Sequence, residues 1–323
     1  MEKGFLQMSF TWLFAILVGG FILFLAIYAV ITVKPTEELV QDVKLGKEIS
    51  FLLNPLETGF ETSKTTYLEL PVETRIYNKC YSEDGVFGAQ VIQVSQRSYG
   101  EFTDPSFEIE VLNKYLFSGK IIEGKTFNIF VKPFEFPFKV ADLIYIIPES
   151  EEYCFKDAPT EISEEIERLN QVYLSIEGDE GCSEKSKKVC FESSNCDINV
   201  LYDNGVVEKD GEQVYFDGDA LMYAAIFSNL TKNYNDAGDE VGKSIYECQL
   251  KRLMQRTEQL ARLYSGKASF IAQTAGCSNT NLNLVGLESA AGYFEDSGDL
   301  ALPVLLAENI GDLNELNSEC KLW

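Results

Sequence analysis

Residues 5–33 carry no charged side chain at all (FLQMSFTWLFAILVGGFILFLAIYAVITV). A helix rises ~1.5 Å per residue, so about 20 apolar residues cross the ~30 Å hydrocarbon layer. The run is long enough, and Trp12 and Tyr28 lie towards its ends, where amphipathic rings favour the headgroup layer. A cleaved secretory signal has a shorter apolar core of about 7–15 residues and a small-x-small cleavage site. This stretch is longer and leaves through Thr32-Val33-Lys34-Pro35 without such a site. The sequence therefore predicts a membrane anchor over residues 1–35, with residues 10–33 in contact with lipid. Ala15 and Gly19 form a small-xxx-small pair within it, a spacing compatible with close helix contact and common in any such span.

Beyond the anchor, two stretches are expected to fold: a β-rich module over residues 36–150 and an α+β, cysteine-containing module over 151–323. The class is α+β. The hydrophobic fraction of 46% argues against wholesale disorder. The net charge is −24, and between Asp142 and Asp219 there are 21 acidic residues against 6 basic ones. Such a surface repels phosphate backbones, which argues against nucleic-acid binding. The chain contains no histidine, which excludes Ser-His-Asp and Cys-His catalysis and His-containing zinc sites. Carboxylate, Lys or Tyr chemistry survives, so a membrane-bound carboxylate-dependent hydrolase stands as an alternative to a binding or structural domain. No motif names a catalytic residue, cofactor or metal site.

Eight cysteines, Cys80, Cys154, Cys182, Cys190, Cys196, Cys248, Cys277 and Cys320, all lie outside the apolar run, and none forms a CxxC. In an exported domain they read as disulfides, and buried thiols are the bland alternative. Cys248 with Cys277 is the first pairing expected, since a helix and a turn would bring them together. A local clip among Cys182, Cys190 and Cys196 is second. Basic residues flank the apolar run almost evenly, so the cysteines, rather than charge, place the large domain outside the membrane. The sequon Asn229-Leu230-Thr231 agrees with that placement, as one chance sequon also would.

Along the chain, residues 65–70, 74–77, 89–94 and 106–111 carry strand patterns. Glu123-Gly124-Lys125 between two β-rich runs suggests a hairpin, and Pro133 and Pro137 suggest that 133–138 is an edge or loop. Residues 142–148 read as a strand, and 161–173 as a helix capped by Thr160. Asn204-Gly205 and Asp210-Gly211 separate three short strands over 198–216. Asp217-Gly218-Asp219 reads as a turn and cap opening a helix to about Asn229. A longer helix is expected from Asp239 or Glu240 through Tyr264, with Tyr246, Leu250, Leu253, Met254, Thr257, Leu260, Ala261 and Tyr264 on its buried stripe. Leu-rich segments at 282–294 and 301–316 are expected to be helices packed on that stripe. Residues 238–244 resemble a phosphate loop but carry Ala237 where it needs glycine, and a helix start explains them better. Asn233, Asn235 and Gly238 partly match a calcium loop that lacks its final Glu.

Lys3-Gly4, followed by Gln7-Met8-Ser9-Phe10 and the long apolar run, resembles the class III signal of archaeal type IV pilins and related surface proteins. Ser9 stands where the bacterial pattern has Glu. The resemblance covers about residues 1–33. It implies cleavage after Gly4 and an apolar helix that packs into a filament core. Two readings follow: a single-pass protein of the cell membrane whose ectodomain binds a protein partner or self-associates, and a pilin-like subunit.

Overall fold

The computed structural model describes residues 12–29, 46, 49, 64–83, 87–178, 181–192, 196–234, 240–275, 282–317 and 320–323. Helix α1 (Trp12–Ala29) is long and apolar enough to cross a membrane, and none of it is buried against the rest of the chain. Among the described residues, a seven-stranded sheet, a six-stranded sheet, a two-stranded ladder and five further α-helices build the remainder, in the α+β class.

The first sheet has seven strands. β1 (Lys64–Tyr81), β2 (Ala89–Ser98), β3 (Glu101–Phe102), β4 (Ile109–Val111), β5 (Tyr115–Phe117), β6 (Ile121–Glu135) and β7 (Lys139–Pro148) are ordered β3-β2-β1-β6-β7-β5, with β4 also on β2. Only the β5–β7 pairing is parallel. Side chains alternate across a strand, so a strand covered on both sides reads as an unbroken apolar run. β7 is that strand. Its Leu143, Tyr145 and Ile147 enter the larger core, and Ile144 and Ile146 enter a second core with Val94, Phe127 and Ile129.

One expectation fails in β6, and another is met in one of its two forms. No hairpin forms at Glu123-Gly124-Lys125, because the irregularity falls on β1 instead. Register jumps between Glu69 and Thr74, while β6 runs through with Gly124 opposite Thr74. The ion pair of Arg75 with Glu123, at 2.7 Å, spans that register. Pro133 also lies inside β6, not in a loop. Among the described residues the pairing with β1 ends at Val131 and beyond it β6 pairs with β7 alone, so Pro133 sits on an edge, as its sequence allows, where its missing N–H is tolerated.

The second sheet comprises β8 (Tyr153–Lys156), β9 (Leu174–Ile176), β10 (Lys187–Phe191), β11 (Ile198–Leu201), β12 (Val206–Lys209) and β13 (Glu212–Tyr215), in the order β13-β12-β11-β10-β8-β9. β8 and β9 are parallel and joined through α2 (Thr160–Leu169). This helix stops short of Tyr173, because Asn170 takes the left-handed conformation and its N–H turns back to Ile166 and Glu167. Thr160 lies inside the helix, and Pro159 precedes it without a side-chain cap. The three strands and two turns of 198–216 form as their sequence indicates, with Asp210 and Gly211 both at positive φ.

α3 (Gly218–Phe227) touches strands of both sheets and is buried on all sides from Ala220 to Phe227. Tyr223 and Phe227 stack on each other and meet Phe130, Tyr145, Tyr153 and Phe155 edge-on. β14 (Asn233–Tyr234) and β15 (Glu240–Gly242) then pair. The sequence expected a helix from Asp239 or Glu240, but a strand occupies Glu240–Gly242 and the helix α4 (Ile245–Ala275) begins later and runs on past Tyr264. Residues 235–239 lie outside the described residues, so the phosphate-loop and calcium-loop patterns are only partly covered. α5 (Leu284–Gly292) packs on α4, and α6 (Ala301–Leu316) on α5.

α4 crosses the first sheet on a polar seam. Arg252 is 1% exposed. Its guanidinium donates to the Phe87 carbonyl at 2.9 Å, the Lys114 carbonyl at 2.9 Å and Gln249 Oε1 at 2.7 Å. Gln249 donates to Gln90 Oε1 and to the Leu116 carbonyl. Gln90 donates to Asn78, which donates to Ser118. Buried polar groups of this kind are tolerated because each finds a partner.

Beside this seam Cys248 is bonded to Cys80 of β1, across 168 residues of sequence. The expected Cys248–Cys277 pairing is therefore wrong: the partner comes from the sheet on which the helix lies, which local spacing could not reveal. Cys154 pairs with Cys182 and Cys190 with Cys196. Cys320 is also disulfide-bonded, and Cys277 lies outside the described residues. Closing so long a loop removes denatured-state entropy. Replacing Cys80 and Cys248 together by Ser should lower unfolding stability by about 2–5 kcal/mol, read as a lower denaturant midpoint under non-reducing conditions. An unchanged midpoint would show that the polar seam alone holds α4.

Lys209 closes the end of α3, donating to the carbonyls of Ile226 at 2.9 Å and Ser228 at 2.8 Å. Burial pushes its ammonium down from 10.5 to about 8, a loss of water that the two carbonyls do not fully offset. Between those values the unfolded chain binds more protons than the folded one, so this group makes stability rise with pH across the window. The denaturant midpoint should climb from pH 8 to 9.5, below ordinary tyrosine ionisation. Lys209→Met should remove most of the climb, leaving the part from Lys120, which burial also lowers. A flat profile in the unsubstituted protein would contradict this account.

Candidate functional site

A cleft of about 590 Å³ opens where the second sheet meets the start of α6. The 3-10 turn Tyr202–Asn204 and Gly205 form its first side. Gly205 sits at φ +63° and donates its N–H to the Tyr202 carbonyl. A Cβ there would lie 2.5 Å from the Phe216 carbonyl oxygen, so the turn can close on β13 only with glycine. The second side is the exit from β13 into α3, through Tyr215, Phe216 and Asp217. The third is the 3-10 turn Ser297–Asp299 with Leu300, Ala301 and Val304 of α6.

Ser297 ties these sides to α4. Its Oγ donates to Glu247 Oε1 at 2.5 Å, its N–H donates to Glu247 Oε2 at 2.7 Å, and its Oγ accepts from the Tyr215 N–H at 3.0 Å. Burial raises the Glu247 carboxyl, against the two Ser297 hydrogen bonds that lower it. The Tyr246 hydroxyl donates to the Tyr215 carbonyl at 2.6 Å, which fixes the same strand end from the other side. Behind Ser297 lies a smaller cavity of about 150 Å³ whose lining includes Lys232, Lys243 and Asp296.

Tyr202 is held by a partly buried ion-pair chain. Its hydroxyl donates to Asp219 Oδ1 at 3.0 Å, and burial, then Asp219, pushes its ionisation up to about 12. Asp219 lies 3.7 Å from the Lys132 ammonium, which pairs with Glu165 at 2.6 Å, and Tyr223 donates to Glu165 at 3.2 Å. The phenol of Tyr202 is thus a fixed wall.

Asp217 differs from its neighbours. It precedes α3 in the capping position, yet its side chain accepts no hydrogen bond from the helix. No hydrogen bond or ion pair reaches its carboxylate among the described residues. Burial raises this carboxyl, and the charge of Glu308 raises it further. Glu308 stands on the α6 face that carries Ala301 and Val304, at spacings of three and four. The lining holds two acids, Asp203 and Asp217, and no Lys or Arg.

The sequence read 217–219 as turn and cap. Asp217 does occupy the cap position, but Asp219 serves Tyr202 instead of the helix N-terminus. Ser297, Leu300 and Val304 carried no signal, because they reach the cleft from about 80 residues further along the chain. Of the candidate residues from the sequence, the described disulfides lie outside the cleft lining, Gly4 falls outside the described residues, and Asn229 is half-buried with its Oδ1 enclosed and without a hydrogen-bond partner among the described residues. The Asn229 backbone N–H donates to the Ser118 carbonyl. No described group of three or more acids, cysteines and histidines is arranged to hold a metal. The chain matches no family profile, no curated protein and no solved structure.

Two glycines of the cleft separate shape from strain. Gly205→Ala meets the Phe216 carbonyl and should cost about 2–3 kcal/mol, whereas Gly218→Ala, at φ +67° in open space, should cost about 1 kcal/mol. Thermal denaturation of the two variants measures the difference, and equal losses would contradict the close packing of the turn on β13.

Proposed function

We propose that this chain is a single-pass membrane protein whose α1 anchors an acidic, disulfide-stapled ectodomain at the cell surface, where the ectodomain acts as a binding or structural module. The observation that carries the reading is α1 itself. It is an 18-residue apolar helix that contributes nothing to either hydrophobic core, so only a medium other than water satisfies its side chains. Three described disulfides support an oxidising compartment for the domain. Among the described residues, the cleft beside Ser297 is a surface built for a ligand, being preorganised by Glu247, Tyr246 and Asp219.

A pilin-like subunit, processed after Gly4, is the second reading. The exposed α1 favours it to the same degree, since a filament core would also cover the helix. Gly19 and Gly20 have no neighbour within 4 Å of a built Cβ, which leaves that face open to another helix.

Thiol alkylation with a membrane-impermeant reagent on intact cells tests the placement. Labelling should appear only after reduction and without lysis. Labelling that requires lysis but no reductant would put the domain in the cytoplasm and end the surface reading. Mass spectrometry of the mature N-terminus separates the two readings: an intact Met1 defeats the pilin-like one, and a chain beginning at Phe5 favours it.

A further inference from the structure

The cleft presents an unusual combination. Its formal charges are all negative, and one of them, Asp217, is half-buried without a hydrogen-bond or ion-pair partner among the described residues. A carboxylate at this depth keeps only part of its hydration, so a cation reaching it gains more than at the open surface. The side chain could have capped α3 at little cost and does not, so capping does not account for its position. Glu308 adds negative charge on the same flank.

The remaining lining describes the rest of the ligand. Tyr202, Tyr215 and Phe216 supply aromatic surface, which attracts a cation and packs against methylene groups. Leu300, Ala301 and Val304 supply an apolar floor. A sugar could stack on the rings and donate to the acids, but it carries no charge to offset a lining whose formal charges are all negative. A divalent metal is favoured where three or more acids, cysteines or histidines converge, and no such group exists among the described residues.

Resting on the reading of this domain as a binding module, we propose that the cleft binds a primary ammonium carried on an alkyl stem, with Asp217 as counter-ion, the rings of Tyr202 and Tyr215 beside the cation, and the α6 floor beneath the stem. A soluble alkyl amine and a lysine side chain of a partner polypeptide share this chemistry.

The test uses the full chain in detergent micelles and titrates three probes by calorimetry: pentane-1,5-diamine, Nα-acetyl-lysine methylamide and the neutral pentane-1,5-diol. Both amines should bind saturably and the diol should not. Asp217→Asn keeps the shape, removes no bond found among the described residues and relieves the cost of the half-buried charge, so it should fold with a melting temperature no lower than that of the unsubstituted protein and weaken amine binding at least tenfold. Ala301→Trp, which fills the floor, should abolish binding. Tighter binding of the diamine assigns a soluble amine, and tighter binding of the lysine derivative assigns a partner's side chain. Absent amine binding, equal binding of the diol, or undiminished binding by Asp217→Asn would overturn the proposal. The surface reading fails separately, through the alkylation result, so each can fall without the other.

Discussion

The first two turns of α4 are the joint on which the rest of the domain depends. Within seven residues, from Tyr246 to Arg252, this helix contacts the first sheet, the end of β13 and the turn at Ser297. The sheet contact is polar. Arg252 donates to the carbonyls of Phe87 and Lys114 and Gln249 to that of Leu116, which also accepts from Asn78 of β1. A buried guanidinium costs several kcal/mol when alone, so its three acceptors and the Tyr115 ring 4.8 Å away are required for the seam to exist at all.

This joint also explains why the cleft has a defined shape. Its third side is a short 3-10 turn with little core of its own, held chiefly by the Glu247–Ser297 pair. Glu247 can reach that turn only while Cys248, Gln249 and Arg252 keep the helix on the sheet. Tyr202 is fixed from the opposite direction by the Asp219–Lys132–Glu165 chain, which runs between α3, β6 and α2. Two buried polar networks therefore clamp one cleft. Charged groups inside a low-dielectric interior tolerate few geometries, so they define position more sharply than apolar contacts do.

Much of the fold was legible where a segment's own residues decide its state. The turns at Asn204-Gly205 and Asp210-Gly211, the buried stripe of α4 and the apolar β7 all follow from local φ preference or from periodicity. The misreadings share one cause. Glu123-Gly124-Lys125 suggests a hairpin, yet Gly124 lies within β6, because the partner strand, not the residue, decides whether a glycine turns; Pro133 keeps to the edge its sequence allows, but inside a strand. Cys248 was assigned to a cysteine near it in sequence, whereas its true partner lies on β1. The cleft was largely illegible: its acids read as turn residues and caps, and its far side arrives from α6.

The sequence by itself determined that one end of this chain avoids water, that histidine chemistry is absent, that the folded part mixes strands and helices, and that its surface is strongly acidic. Those are sums over residue types and short-range patterns, and they need no knowledge of what lies opposite. Only the tertiary structure decided which carboxylates are paired and which, like Asp217, stand without a partner beside aromatic rings. Pairing depends on contacts across tens to hundreds of residues, and with 51 acids in the chain no local pattern can say which of them folding leaves without a cation.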